Sequence, residues 1–467
     1  MTKRPPKSQA SQPKVYAPAT ARSAALDALL RVRDAAAPGL AECLVEVGLA
    51  DSRDLGLARE IAYGVARHGR WLEESLKRAL RDYRPPNKRV TRMAVICAVY
   101  QHAFLDRIPP HAIVSEAVEL IKARDHNPRI AGWANSILRQ MAKTPPERFL
   151  PGEDLPWPLR FSAPEELIPF VARALEDDGE QAAFWGSAQE TAPLVLRGRG
   201  PEKDAMLPRL AEQLAGRANV RQSRWLPDAY IVEQAPGLSP AELPLFRDGQ
   251  LTVEDEGAQL AVSLATAGDV RGRVLDLCAA PGGKTAYLLD RHGEGDLALT
   301  ATDVSEAKLE RLRETLARFG LEGRAGLGIA EEVLTESPEG DFHLVLLDAP
   351  CSGLGTIRRH PEIKVRRHPE DIAQLARIQK ALLHRAARLV EPGGLLAYTV
   401  CTVTREEGEE VIDDFLVMHP EFTLEPAPAE ALPFDPEPFR CDSGLYRTWT
   451  HRDGCDCFTA ARLRRQS

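Results

Sequence analysis

From about residue 250 onward, short apolar runs alternate with helical stretches, and few folds accommodate that alternation. The strand candidates are Val274–Leu277, Leu297–Thr302, Leu344–Leu347 and Leu395–Val400, separated by predicted helices near 284–291, 305–319 and 371–390. A βαβ rhythm of this kind predicts a doubly wound, mostly parallel sheet, in which ligands sit at the carboxyl ends of the strands. The earlier sequence reads differently. Met93, Ile96, Cys97, Tyr100 and Phe104 recur at helical spacing, as do Val114, Ala117, Val118 and Ile121, and Ala134, Ile137, Leu138 and Met141. Breakers at Arg84-Pro85-Pro86-Asn87 and Ile108-Pro109-Pro110 divide these helices, and prolines 145, 146, 151, 156 and 158 mark a boundary. Between them and residue 250 a helical stretch near 164–190 precedes the strand-like Leu194-Val195-Leu196, which predicts a small α+β insert. The expected divisions are a flexible basic tail (1–20), a helical domain (21–144), a linker with a small α+β domain (145–250) and the α/β domain (251–467).

A chain of 467 residues with 44% hydrophobic and 27% charged residues is expected to form two or three well-packed domains. No apolar run reaches the roughly 18 residues needed to span a bilayer, and the first twenty residues lack the apolar core of a secretory signal. The eight cysteines are then expected to be reduced thiols in a cytoplasm rather than a disulfide scaffold. The net charge of −8 hides an asymmetry. Residues 1–144 carry 24 basic and 14 acidic side chains, whereas the remainder carries 36 and 54. Such a split points to a polyanionic partner for the N-terminal part, although a helical domain with a solvated basic face accounts for it equally well. Arg59, Arg67, Arg70 and Arg92 are the candidate phosphate contacts.

The run Val274-Leu275-Asp276-Leu277-Cys278-Ala279-Ala280-Pro281-Gly282-Gly283-Lys284-Thr285 is a buried strand, a turn of small residues and a helix start. Small residues let the backbone approach a ligand, and free helix-start amides favour an anionic group. A P-loop needs glycine where Cys278 stands, and the G-x-G-x-x-G dinucleotide pattern is absent. The remaining reading is the S-adenosylmethionine loop of a Rossmann-like methyltransferase. Asp303 ends the next strand twenty residues after Gly283, where an acid can accept hydrogen bonds from ribose hydroxyls, which argues against a purely structural turn.

Two further motifs close strands: Asp348-Ala349-Pro350-Cys351-Ser352-Gly353 and Tyr398-Thr399-Val400-Cys401-Thr402. With Leu277–Thr285 they resemble the RNA 5-methylcytosine methyltransferases, specifically the ribosomal RNA small subunit methyltransferase B (Sun/Fmu) family. The resemblance extends to Val253–Gln259 and Arg358–Lys364. It also covers Ile61–Gly64, His111–Val118 and Asn135–Arg139, which look like the NusB-like RNA-binding domain fused to that family. It implies an all-α NusB-like N-terminal domain, a small α+β insert and a C-terminal Rossmann-like methyltransferase domain. The implied activity is S-adenosylmethionine-dependent methylation of cytosine carbon 5 in 16S ribosomal RNA, of the cytosine(967) type. A monomer without metal or membrane is expected.

The chemistry accounts for two cysteines. Carbon 5 of cytosine is a poor nucleophile until a group adds to carbon 6, and a thiolate is the strongest nucleophile a side chain offers at neutral pH. The carbon-5 proton must then leave before the thiolate is released. By resemblance Cys401 is the nucleophile, Cys351 assists elimination, and Asp348 holds the base or the reacting end of the cofactor. Cys278, Ala279, Ala280, Pro281, Gly282, Gly283, Lys284, Asp303 and Asp348 are the implied cofactor residues. Both cysteines could instead be buried small hydrophobes, but each ends a strand in a polar motif. The sequence departs from the family where a loop acid is usual: Ile329 stands there, and Glu331 or Glu332 is the candidate replacement. Asp456-Cys457-Phe458-Thr459 replaces Asp-Gly-Phe-Phe. Cys441, Cys455 and Cys457 near His451 lack C-x₂-C spacing and read as an incidental cluster rather than a zinc site. Two alternatives stay open: a relative acting on transfer RNA or another ribosomal site, and a non-catalytic RNA-binding factor on a decayed fold.

Overall fold

A computed structural model describes residues 20–34, 37–200, 205–233, 237–293 and 296–467. The basic tail expected at 1–20 lies outside them except for Thr20. The chain divides into two compact units, Met1–Leu150 and Pro151–Ser467.

The first unit is helical: α1 (Ala21–Arg31), α2 (Leu40–Glu46), α3 (Ser52–Ala79), α4 (Arg89–Phe104), α5 (Pro110–Asp125) and α6 (Pro128–Lys143). Local chemistry sets the ends. Thr20 and Ser23 cap α1 reciprocally, Asp51 caps α3, and Asn127 with Pro128 opens α6. The apolar stripe expected on α4 proves too narrow, because Val95, Ala98 and Val99 are buried as well as Ile96, Cys97 and Tyr100. A helix apolar on nearly all sides becomes the centre of its bundle. Gly64 on α3 lets it pack closely, since a Cβ there would lie 1.9 Å from the Tyr100 ring.

The second unit holds two sheets. Strands β1 (Leu194–Gly198), β2 (Asn219–Gln222), β3 (Ala229–Glu233) and β4 (Leu251–Val253) form an antiparallel sheet in the order β2-β3-β1-β4. The helical stretch expected over 164–190 is instead broken into Ile168–Ala172 and Asp178–Ser187. The larger sheet contains β5 (Gly272–Asp276), β6 (Leu297–Asp303), β7 (Ala325–Ile329), β8 (Phe342–Asp348), β9 (Val390–Val400), β10 (Phe422–Leu424), β11 (Tyr446–Arg447) and β12 (Thr459–Arg465). Its order is β10-β12-β9-β8-β5-β6-β7, with β11 on β12. Strands β5 to β9 run parallel, while β12 enters antiparallel beside β9. Val274, Leu275, Val345, Leu346, Leu396 and Ala397 are all buried, as expected for strands covered on both faces. No helix among the described residues is long and apolar enough to cross a membrane.

Candidate active site

Strands β5, β6, β8 and β9 end side by side, so the parallel register places Asp276, Asp303, Asp348 and Cys401 along one edge of the sheet. The loop after β5 is tied down by backbone bonds. Leu277 N donates to Leu346 O and Ala279 N to Thr302 O, both at 2.9 Å. Gly282 opens the helix Gly283–His292 with φ +111°, a conformation side chains rarely adopt, and a Cβ there would meet Leu312 Cδ1 at 2.6 Å. Asp303 is buried and accepts from Ala280 N (3.1 Å), Val304 N (2.7 Å) and the Lys308 ammonium (3.0 Å). It therefore holds the Cys278–Pro281 turn against β6.

Asp276 had no place among the expected site residues, yet it is central. It is fully buried, its Oδ2 accepts from the Thr285 hydroxyl at 2.7 Å, and its Oδ1 has no partner among the described residues. Burial, reinforced by the neighbouring Asp348 and Asp303 carboxylates and opposed by Thr285, pushes its carboxyl up to about 7. A residue such as this could be found from sequence only as a charge at the end of an apolar strand. The unpaired Oδ1, the small-residue turn and the free amides of a helix start suit a polar, nucleoside-bearing cofactor.

Lys284 is held at 2.7 Å from Asp348 Oδ2, and Asp348 Oδ1 accepts from the Thr399 hydroxyl at 2.8 Å. The Lys284 ammonium also lies 5.3 Å from the centre of the Phe458 ring. Burial opposes the ammonium, but Asp348 and the nearby Cys401 and Glu254 outweigh it and raise the lysine's affinity for its proton. The two thiols meet: Cys351 Sγ lies 3.2 Å from Cys401 Sγ, and both cysteines are half-buried. The bond to Cys401 is the main cause, and burial the next, that drives the Cys351 thiol well above the usual range. Burial pushes the Cys278 thiol up to about 12, so this cysteine lines the turn as a neutral group.

The motif blocks flanking the site converge on one ion network. Asp456 accepts from Arg358 Nε (3.0 Å) and Arg359 Nε (2.8 Å), and Arg359 also pairs with Asp255. Gly257 and Gly355 allow this approach: a Cβ on either would lie about 2 Å from the carbonyl oxygen of Asp456 or Cys457. Glu331 sits on the exposed side of the helix Ala330–Glu336, where its carboxylate is bound by Arg385 (2.8 Å). Cys457 accepts from Thr450 N and Cys455 is buried; among the described residues no group of three His, Cys, Asp or Glu is disposed to hold a metal ion. Arg92 on α4 is paired with Glu73 of α3.

A parallel sheet with a late antiparallel strand inside it, and acids ending successive strands beside a glycine turn, defines a Rossmann-like methyltransferase. A family model described as "16S rRNA methyltransferase RsmB/F" matches residues 263–464, and the NusB family model matches residues 19–143. The ribosomal RNA small subunit methyltransferase B of Vibrio cholerae is 32% identical over 381 residues, 80% of this chain and 83% of that protein. The probable ribosomal RNA small subunit methyltransferase B of Bacillus subtilis is 30% identical over 95% of this chain and 98% of its own length. The crystal structure of the protein PH0851 superposes with a TM-score of 0.75 at 25% identity, covering 97% of this chain and all of that one. NSun6 from Pyrococcus horikoshii with SFG shares the fold at a TM-score of 0.54 and 17% identity, covering 65% of this chain and 98% of that one. The chain belongs to the ribosomal RNA small subunit methyltransferase B family, S-adenosylmethionine-dependent enzymes that form 5-methylcytosine in RNA.

Proposed function

We propose that this chain methylates carbon 5 of a cytosine in 16S ribosomal RNA, of the cytosine(967) type, through a covalent bond between Cys401 and the base. The observation that carries the reading is the pair of thiols 3.2 Å apart beside the Lys284–Asp348 ion pair. Two sulfurs this close share their protons, and only one is readily ionised at a time. Cys401, beside the Lys284 ammonium, is the sulfur that adds to carbon 6, while Cys351, whose thiol is held well above the usual range, keeps its proton. Once bonded to carbon 6, the Cys401 sulfur no longer holds the Cys351 hydrogen bond, the main influence that raises the Cys351 thiol. Cys351 then releases its own proton to solvent, and its thiolate accepts the proton from carbon 5 as the Cys401–carbon 6 bond breaks and Cys401 leaves as thiolate. Bound S-adenosylmethionine supplies the electrophilic methyl group that carbon 5 attacks. The loop Cys278–Gly283, with Asp276 and Asp303, would hold it, and Asp348 orients Lys284 toward the reacting edge. The substrate is naked 16S RNA or an early assembly intermediate in the cytoplasm, met by a monomer that needs no metal.

Mass spectrometry of 16S RNA nucleosides from cells with and without the gene tests the target. Loss of a single 5-methylcytosine, restored by the wild-type chain and not by Cys401→Ala, is expected. An unchanged 16S RNA with 5-methylcytosine missing from transfer RNA would redirect the assignment.

A further inference from the structure

The two thiols lie on separate loops, one after β8 and one after β9, and something must hold those loops in register. Glu407 is fully buried between them. Its Oε1 accepts from Ser352 N (2.7 Å) and Gln379 Nε2 (3.1 Å), and its Oε2 from the hydroxyls of Thr402 (3.2 Å) and Thr404 (2.9 Å). Ser352 follows Cys351 directly, and Thr402 follows Cys401. Each carboxylate oxygen thus holds the residue next to one thiol, and the hydroxyls of Ser352 and Thr402 join at 2.8 Å beside it. The backbone of Glu407 is fixed in turn by the Tyr398 hydroxyl, which donates to its carbonyl at 2.7 Å, and Gln379 also donates to Pro350 O at 2.8 Å. All four donors to the carboxylate are neutral groups.

We propose that Glu407 is a positioning residue whose carboxylate clamps the Cys351 and Cys401 loops and sets the spacing of the thiol pair. The proposal rests on the two-thiol reading above. A misplacement of about 1 Å between reacting groups costs on the order of 10²-fold in rate, so the clamp acts on kcat and leaves binding alone. Its negative charge also opposes loss of the Cys351 proton, in the same direction as Cys401 and burial. The groups facing this thiol are Cys401, Glu407 and the Tyr398 hydroxyl, with the Lys284–Asp348 pair beside Cys401 and Arg367 on the carbonyl of Ser352.

Two variants of the full chain separate reach from charge. Glu407→Asp keeps the charge but is one methylene too short to hold both loops. Its kcat on a 16S RNA fragment should fall about 10–100-fold, with KM for RNA and Kd for S-adenosylmethionine within about twofold. Glu407→Gln keeps the reach, because its oxygen can face Ser352 N and Gln379 while its amide donates to the two threonine hydroxyls, which can accept. Its kcat should stay within about fivefold of wild type, with the rising limb of the kcat–pH profile moved about one unit lower as the negative charge is removed. Wild-type kcat in a folded Glu407→Asp variant overturns the proposal, as do equal losses in both variants with an unmoved pH limb. If Glu407→Asp does not fold, the pH limb of Glu407→Gln decides. Cys401→Ala is assayed alongside. If it methylates RNA, the two-thiol reading fails and this proposal with it; if it is inactive while both Glu407 variants match wild type, the clamp alone fails.

Discussion

Cys401→Ala and Cys351→Ala should fail in different ways. The first removes the proposed nucleophile, so neither turnover nor a covalent RNA adduct is expected. The second leaves addition and methyl transfer possible but slows release, so a slow-migrating RNA–protein species should accumulate on denaturing gels. Accumulation in Cys401→Ala instead would reverse the two roles. At the cofactor loop, Asp303→Ala should weaken S-adenosylmethionine binding by about 1–3 kcal/mol, the scale of one buried hydrogen-bonding group left unpaired. Calorimetry measures this, and an unchanged Kd would remove Asp303 from the site. Asp276 offers a pH test. Its carboxyl is raised to about 7 in the fold, so its contribution to stability is full below the unfolded value near 4 and is lost as pH rises through 7. Asp276→Asn, which keeps the acceptor for Thr285, should therefore raise the melting temperature of the ligand-free protein by a few degrees at pH 8 and leave it unchanged near pH 4.

At the scale of elements, the approach of the loop after β8 to the segment before β12 is tight. Gly355 N donates to Cys401 O at 3.1 Å, and a Cβ on Gly355 would lie 2.0 Å from Cys457 O. Gly355→Ala must shift backbone that carries Cys401 or Cys457. A stability loss of about 1–3 kcal/mol is expected, together with a fall in single-turnover rate, measured by thermal melts and rapid quench. Which elements were legible follows from their surroundings. The carboxyl-terminal halves of strands β5, β8 and β9 are buried on both faces and so read as plain apolar runs. Strand β12 is hidden by Arg462 and Arg464, which are neutralised by Asp269 and Glu425, partners far away in sequence. Strand β7, Ala-Gly-Leu-Gly-Ile, is an edge strand weakened by two glycines. The same contrast holds in the site. The thiols and the glycine loop announce themselves by motif, whereas Glu407 lies among Glu406, Glu409 and Glu410, and only the folded loops single it out as a clamp.

For the whole molecule, the apolar core of the first unit is built, among the described residues, from side chains between Ala21 and Phe149. That unit should fold alone and, with its excess of basic side chains, bind RNA with modest specificity and strong salt dependence. Residues 151–467 should bind S-adenosylmethionine yet methylate RNA poorly. Filter binding across a salt series and kcat/KM on RNA check both; equal kcat/KM for the isolated second unit and the full chain would remove the first unit as a substrate clamp. The position of β12 carries a consequence for how the enzyme is made. The strand latest in sequence is not an edge: it lies between β9 and β10, and the loop before it brings Asp456 to Asp255, Arg358 and Arg359. A nascent chain still on the ribosome short of residue 459 has both cysteines and the whole cofactor loop but lacks the strand that registers against Val400. Assembly of the site therefore waits for residues 459–465, and until they pair with β9 the loop that follows Val400 lacks its neighbouring strand.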